Sequence, residues 1–216
     1  MTLQPKPYNP PPASALKTVY VDEHIVVCDK PSGLLSVPGR GPEKAICASS
    51  LLGERHGPVF VVHRLDMDTS GCMVLARSLE GQRRLSRQFE KRQVAKTYHA
   101  LLEGALHPDA GTVDKAIAKF SHQRPLRHLD PDGREAITHW QVTARTAGTT
   151  RVELTPKTGR SHQLRLHMKS LGHPILGDVF YGDPNSHERL CLHATVLRFE
   201  HPATGEKLTL STPVPF

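Results

Sequence analysis

Asp66 lies in the run His63-Arg64-Leu65-Asp66-Met67-Asp68-Thr69-Ser70-Gly71, with Arg64 two residues before it. An aspartate kept ionised by a nearby arginine can act as a nucleophile or as a base. Thr69, Ser70 and Gly71 can turn the chain and offer hydroxyl or backbone N–H donors. Read by residue type alone, the run also fits a loop ion pair with an Asx-type turn. A second candidate is Lys96-Thr97-Tyr98-His99-Ala100. On a strand, Lys96, Tyr98 and Ala100 share a face. A tyrosine facing a cleft gives a nucleobase a flat surface to stack on, although an ordinary half-buried strand tyrosine fits equally well. The third is Thr158-Gly159-Arg160-Ser161-His162-Gln163-Leu164-Arg165. Here Gly159 is expected to turn the chain and Ser161 to cap a helix. Arg165 is expected at the edge of that helix's apolar stripe, where its guanidinium can reach a carboxylate on another loop. His162, His167 and His173 lack a cysteine or acid at metal-ligand spacing, and His167 falls within the apolar stripe, so no metal site is expected.

These segments need elements to hold them. Short β-branched and apolar runs predict strands at Val19–Val21, Ile25–Cys28, Val59–Val62, Met73–Ala76, Thr97–Leu102, Ile137–Ala144, Arg151–Leu154, Leu190–Leu197 and Leu208–Leu210. Pro31-Ser32-Gly33, Pro38-Gly39, Asp132-Gly133 and Thr204-Gly205 predict turns. A helix is predicted from a Ser78 cap to about Gln93, with Leu85 and Phe89 one turn apart. A second is predicted over 161–171, where Leu164, His167, Met168 and Leu171 follow helical spacing. Many strands and few helices without regular alternation predict an α+β fold with a mixed, largely antiparallel sheet. Residues 1–15, rich in proline, are expected to form an extended arm, and 16–216 a single domain.

The chain has 216 residues, with 28 Lys and Arg against 21 Asp and Glu, a net charge of +7. That excess makes a polyanion a reasonable partner. It is concentrated in three stretches. Arg77, Arg83, Arg84, Arg87, Lys91, Arg92 and Lys96 form the first; Lys119, His122, Arg124 and Arg127 the second; Lys157, Arg160, Arg165 and Lys169 the third. Clusters of this kind can track a phosphate backbone. No apolar run approaches the roughly 18–20 residues of a membrane span, and residues 1–12 lack the apolar region of a secretory signal. Cys28, Cys47, Cys72 and Cys191 form no C-x-x-C pair. They read as free thiols in a reducing, cytoplasmic setting.

Taken together, the segments resemble the RluA family of pseudouridine synthases. Residues 63–71 match H-R-L-D-x-x-T-S-G. Lys96, Tyr98 and Ala100 match K-x-Y-x-A, and residues 158–167 match T-G-R-[ST]-H-Q-[LI]-R-x-H. The segment 172–178, Tyr181-Gly182, Leu192–Ala194 and Lys30–Gly39 also fit. The resemblance implies the pseudouridine synthase catalytic fold, with an active-site cleft across the sheet. It implies isomerisation of uridine in RNA without a cofactor. Asp66 would be the essential carboxylate, Arg165 its partner, and Tyr98 the residue that stacks on the base and could act at C5. Arg64 would enter the RNA where the flipped base has left. Lys96, Arg124, Arg127 and Arg160 are further expected RNA contacts. Asp66 lies too near the N-terminus for the S4-type RNA-binding domain of many relatives, so the single-domain branch is the expected match. That branch implies large-subunit (23S-type) rRNA as substrate, a tRNA anticodon stem-loop as a second, and a cytoplasmic monomer.

Overall fold

The computed structural model describes residues 7–120 and 125–216. The predicted strands are all present, most of them longer than expected: β1 (Lys17–Val21), β2 (Ile25–Lys30), β3 (Phe60–Val61), β4 (Ser70–Ala76), β5 (Ala95–Glu103), β9 (Ile137–Arg145), β10 (Thr149–Pro156), β11 (Leu192–Glu200) and β12 (Lys207–Ser211). Three further strands are β6 (Ala110–Asp114), β7 (Ile117–Lys119) and β8 (Arg127–Leu129). The helices are α1 (Ala48–His56), α2 (Leu79–Glu90) and α3 (Gln163–Ser170). Among the described residues, no helix is long and apolar enough to cross a membrane.

One large sheet runs in the order β1-β2-β4-β11-β5-β10-β9-β6, with β12 added to β11 and β3 to β4. All its pairings are antiparallel except β4 with β11, which is parallel. That seam joins the two halves of the sheet, directly after the loop carrying Asp66. It requires Gly71. A Cβ there would lie 2.3 Å from the Ala194 carbonyl oxygen, and φ is 110°. No other residue tolerates both the approach and the dihedral.

The strands around the seam are buried on both faces, which explains their unbroken apolar sequence. Alternation sends Val26, Cys28, Met73 and Leu75 towards Ala48, Leu51 and Leu52 of α1. It sends Ile25, Val27, Cys72 and Val74 towards Leu85 of α2. Tyr98, Val152, Leu154, Leu164 and Met168 build a further core beneath β5, β10 and α3.

Several expectations are corrected. Helix α1 is not predicted above: only Ala48, Leu51 and Leu52 carry its buried stripe, and its cap is Cys47, whose sulfur accepts the Ser50 N–H. The basic stretch around Lys119–Arg127, where no strand is predicted, is bounded by the β7–β8 pair; His122 and Arg124 lie outside the described residues. Ser78 does cap α2, accepting the Gly81 N–H at 3.0 Å. Ser161 does not cap α3. No side chain caps it; the Gln163 Oε1 instead braces the preceding turn, accepting the Arg160 N–H at 3.0 Å and the Thr158 hydroxyl at 2.7 Å. The residue at the cap position, His162, has left-handed dihedrals, φ 58° and ψ 18°.

His193 sits on the seam, 1% exposed, with Nδ1 2.8 Å from Ser70 Oγ and Nε2 2.9 Å from Thr212 Oγ1. Burial pushes its pKa down to about 4. The unfolded chain therefore binds a proton here between about pH 4 and 6.5 that the folded chain does not. Stability should fall as pH drops through that window, by roughly 3 kcal/mol from this residue alone. Urea unfolding followed between about pH 7 and pH 5 should show roughly 2 kcal/mol of that loss, and His193→Gln should flatten it.

Candidate active site

The loop between β3 and β4 carries Asp66 and is pinned from the side by the segment 30–36. Ser36 Oγ donates to the Leu65 carbonyl at 2.7 Å and accepts the Leu65 N–H at 3.1 Å. Ser32 Oγ donates to the Asp68 carbonyl at 2.7 Å, and the Gly33 N–H donates to that of Met67 at 3.0 Å. Lys30 is fully buried, and its Nζ donates to the carbonyls of Leu34, Met67 and Pro31 at 2.7, 2.8 and 3.0 Å. Burial pushes its pKa down to about 7. The Thr69 N–H closes the turn onto the Asp66 carbonyl at 3.2 Å. Every carbonyl from Leu65 to Asp68 thus has a partner, as buried backbone must. At the loop's start, His63 Nε2 accepts the Val74 N–H at 3.1 Å, and its ring stacks on Phe89. Burial drives its pKa down to about 3, with Lys96 adding to the effect, so this ring is a neutral structural group.

The Asp66 carboxylate is 31% exposed and meets α3. The Arg165 Nη1 lies 3.7 Å from Asp66 Oδ2, and the His162 Nε2 3.9 Å from the same oxygen. Arg165 is not at the edge of its helix, as the apolar stripe predicted. It is 2% exposed, because the turn after α3 folds Asp178, Phe180 and Tyr181 over it. Arg165 Nε and Nη2 donate to Asp178 Oδ2 and Oδ1 at 2.7 and 2.5 Å. Its guanidinium carbon lies 5.0 and 5.2 Å from the ring centres of Phe180 and Tyr181. Asp178 also accepts the N–H groups of Phe180 and Tyr181. The close bidentate pair is therefore Arg165 with Asp178, and the third nitrogen points to Asp66. Asp178 lies in the sequence segment 172–178, and only its place near a helix carrying an arginine hints at this role.

Tyr98 lies on β5, paired with Ala194 of β11 and Leu154 of β10. Burial raises its pKa further above the ordinary tyrosine value, and the charge of Asp66 raises it again. The hydroxyl stays protonated at neutral pH.

Asp66, Tyr98, Arg165, Arg64, Lys96 and Arg160 all line one cavity of about 590 Å³. Arg92, Arg134 and Lys157 line it as well, against Asp66 and Glu90 as its acids. Burial lowers the Lys96 pKa, and Arg160 Nε donates to the Glu135 carbonyl at 2.9 Å. A second groove adjoins the cavity and shares Arg64, Leu65, Asp66, Ser161 and His162 with it. Arg127 lines that groove, with Nη1 donating to the Pro125 and Leu126 carbonyls at 2.8 Å. Arg64, the exposed residue common to both, has no ion pair with Asp66. The structure thus brings together all the sequence candidates except Arg124, which lies outside the described residues. His162 lines the cavity with them, and the buried Lys30 and Asp178 support it from behind; the sequence alone gave these three no role.

The mixed sheet thus carries a basic cleft lined by Asp66 and Tyr98, the setting of an enzyme that acts on a polyanion. Residues 24–170 match the model of the RNA pseudouridylate synthase family, and the chain belongs to that family. It is an RNA pseudouridine synthase, an isomerase. Within the family it falls with the RluA enzymes. It is 48% identical over 209 residues to the dual-specificity RNA pseudouridine synthase RluA of Haemophilus influenzae, covering 94% of this chain and 95% of that one. The Escherichia coli K12 enzyme of the same name is 44% identical over 214 residues, covering 97% and 98%. Among solved structures, human RNA pseudouridylate synthase domain containing 1 superposes with a TM-score of 0.81 at 29% identity, covering 96% of this chain and 87% of that one.

Proposed function

We propose that this enzyme isomerises specific uridines in two classes of RNA, large-subunit rRNA and a tRNA anticodon stem-loop, using Asp66 on a flipped nucleotide. The observation that carries the reading is the setting of Asp66: a partly exposed carboxylate on a loop whose carbonyls are all engaged, opening into a cavity rimmed by arginine and lysine. In the reaction the C1′–N1 bond breaks, the base turns, and C5 bonds to C1′. The C5 proton leaves and N1 takes one up, so no oxidant, reductant or group donor is consumed.

Asp66 starts the reaction, attacking C1′ or removing a ribose proton. Arg165 Nη1, 3.7 Å from its Oδ2, keeps it aimed. Tyr98 supplies a stacking surface for the base. With its hydroxyl held protonated, it is a poor match to a general base, which works best with a pKa near the operating pH. Extruding the uridine costs a few kcal/mol. Arg64, at the junction of cavity and groove, offsets part of that cost by filling the vacated place with a planar, hydrogen-bonding group. Lys96, Arg160 and Arg127 then hold phosphates on either side, and Arg124, outside the described residues, is a further proposed phosphate contact. Residues 16–216 act as one catalytic domain, as a monomer. The similarity to enzymes named for dual specificity supports the two-substrate part.

Mapping pseudouridines in RNA from cells with and without the gene tests the substrate assignment. Loss of one site in large-subunit rRNA and one in a tRNA anticodon stem-loop is expected; loss in a single RNA class would contradict it.

A further inference from the structure

Both groups that approach the Asp66 carboxylate approach the same oxygen. Arg165 Nη1 and His162 Nε2 face Oδ2, and no hydrogen bond or ion pair among the described residues reaches Oδ1. The arginine's part follows from its charge. The histidine's depends on which nitrogen carries its proton, and the surrounding bonds decide that.

His162 Nδ1 lies 2.7 Å from Tyr181 Oη. The same hydroxyl accepts the backbone N–H of Arg127 at 3.0 Å. Tyr181 is buried, 8% exposed. A phenol has one proton to give. If Nδ1 also donated to Oη, that proton would be left without an acceptor, at a cost. Donation from Oη to Nδ1 satisfies all three groups. The ring proton is then on Nε2, the nitrogen facing Asp66. Burial lowers the His162 pKa. Among the charges facing the ring, Arg165 and Arg127 also lower it, while Asp66 and Asp178 oppose them, so the ring is neutral. It lies 5.6 Å from the Phe180 ring in a stacked arrangement. Its backbone is left-handed at φ 58°, a conformation that non-glycine residues seldom adopt without a reason at the site. That twist sets the imidazole between Tyr181 and Asp66.

We infer that His162 is a positioning residue for Asp66: its Nε2–H joins Arg165 Nη1 on Oδ2 and leaves Oδ1 as the oxygen presented to the nucleotide. The inference rests on the reading that Asp66 is the reacting carboxylate. Both contacts are about 1 Å longer than a hydrogen bond, so a small approach on RNA binding completes them. A neutral donor orients the carboxylate without adding a second cation that would weaken it as a nucleophile or base. The relay also ties Asp66 to β8, whose first residue, Arg127, lines the adjoining groove.

The test uses the full chain and an in vitro transcript of large-subunit rRNA carrying tritium at uridine C5, which is released as the product forms. His162→Asn tolerates the left-handed backbone but is too short to reach Oδ2, whereas His162→Gln keeps a donor near the Nε2 position. At saturating RNA, His162→Asn should lower the single-turnover rate about 10- to 100-fold, with RNA affinity within about twofold of wild type. His162→Gln should recover most of the rate. Imidazole nitrogen NMR should show Nε2 protonated and Nδ1 accepting in the wild type, and a mixture of tautomers in Tyr181→Phe. A wild-type rate for His162→Asn, equal impairment of the Asn and Gln variants, or an Nδ1-protonated ring would overturn the inference. Asp66→Asn is the control for the underlying reading: full activity there would refute that reading, while the NMR result would still report the His162 tautomer.

Discussion

Arg165→Met should cost about 3–5 kcal/mol of stability and lower the rate about 100- to 1,000-fold. The stability loss comes from Asp178. It is 0% exposed, and Arg165 supplies two of its four hydrogen bonds. Methionine fills much of the same space but leaves a buried carboxylate with only two backbone N–H partners. The activity loss has a separate origin, since Asp66 loses the cation at 3.7 Å. The two effects can be separated. Arg165→Met combined with Asp178→Leu removes both buried charges, an exchange that is often neutral or favourable. The double variant should therefore regain stability in a urea titration while remaining as slow as the single one. Recovery of both would show that Arg165 matters to Asp66 only through folding.

Lys30→Met should cost roughly 2–3 kcal/mol, because the Pro31 and Leu34 carbonyls lose their donor and the Met67 carbonyl keeps only the Gly33 N–H. All three accept from the one ammonium. The Met67 carbonyl lies one residue beyond Asp66, so the loop should loosen and the rate fall even though Lys30 does not line the cavity. The lysine also has a pH signature. Burial places its folded pKa at about 7, against roughly 10.4 for a free lysine. Between those values the unfolded chain binds the extra proton, so stability rises with pH across the window. Lys30→Met should remove that rise. Urea unfolding of both proteins from about pH 7 to pH 9 checks the cost and the slope together.

The sequence made the strands near the seam legible because their burial is uniform. Ile25–Cys28 and Met73–Ala76 are apolar without interruption, which only a strand covered on both faces requires. The same uniformity hid what covers them. Helix α1 contributes only Ala48, Leu51 and Leu52, too short a stripe to stand out. Strands β6, β7 and β8 bury Val113 and Ile117 and otherwise carry exposed or half-buried residues, so they read as loop.

The site was legible where its residues are adjacent in the chain, as in 63–71 and 158–165. Spacing along a helix placed Arg165 at the edge of a stripe. It could not show that a separate turn, 178–181, buries the guanidinium and takes its two best donors. The loop's support by Lys30, Ser32 and Ser36 was hidden for the same reason. These contacts join residues roughly thirty to forty positions apart, and no local pattern encodes such a distance.

Asp66 is the residue proposed to carry out the isomerisation. The most direct measurement is pseudouridine formation by Asp66→Asn, an exchange that keeps the side chain's shape and removes its charge. The RNA would be digested to nucleosides and analysed by mass spectrometry, with binding of the same RNA measured in parallel. No detectable pseudouridine, with RNA binding retained, is the predicted result. Pseudouridine formed at the wild-type rate would remove Asp66 from that role.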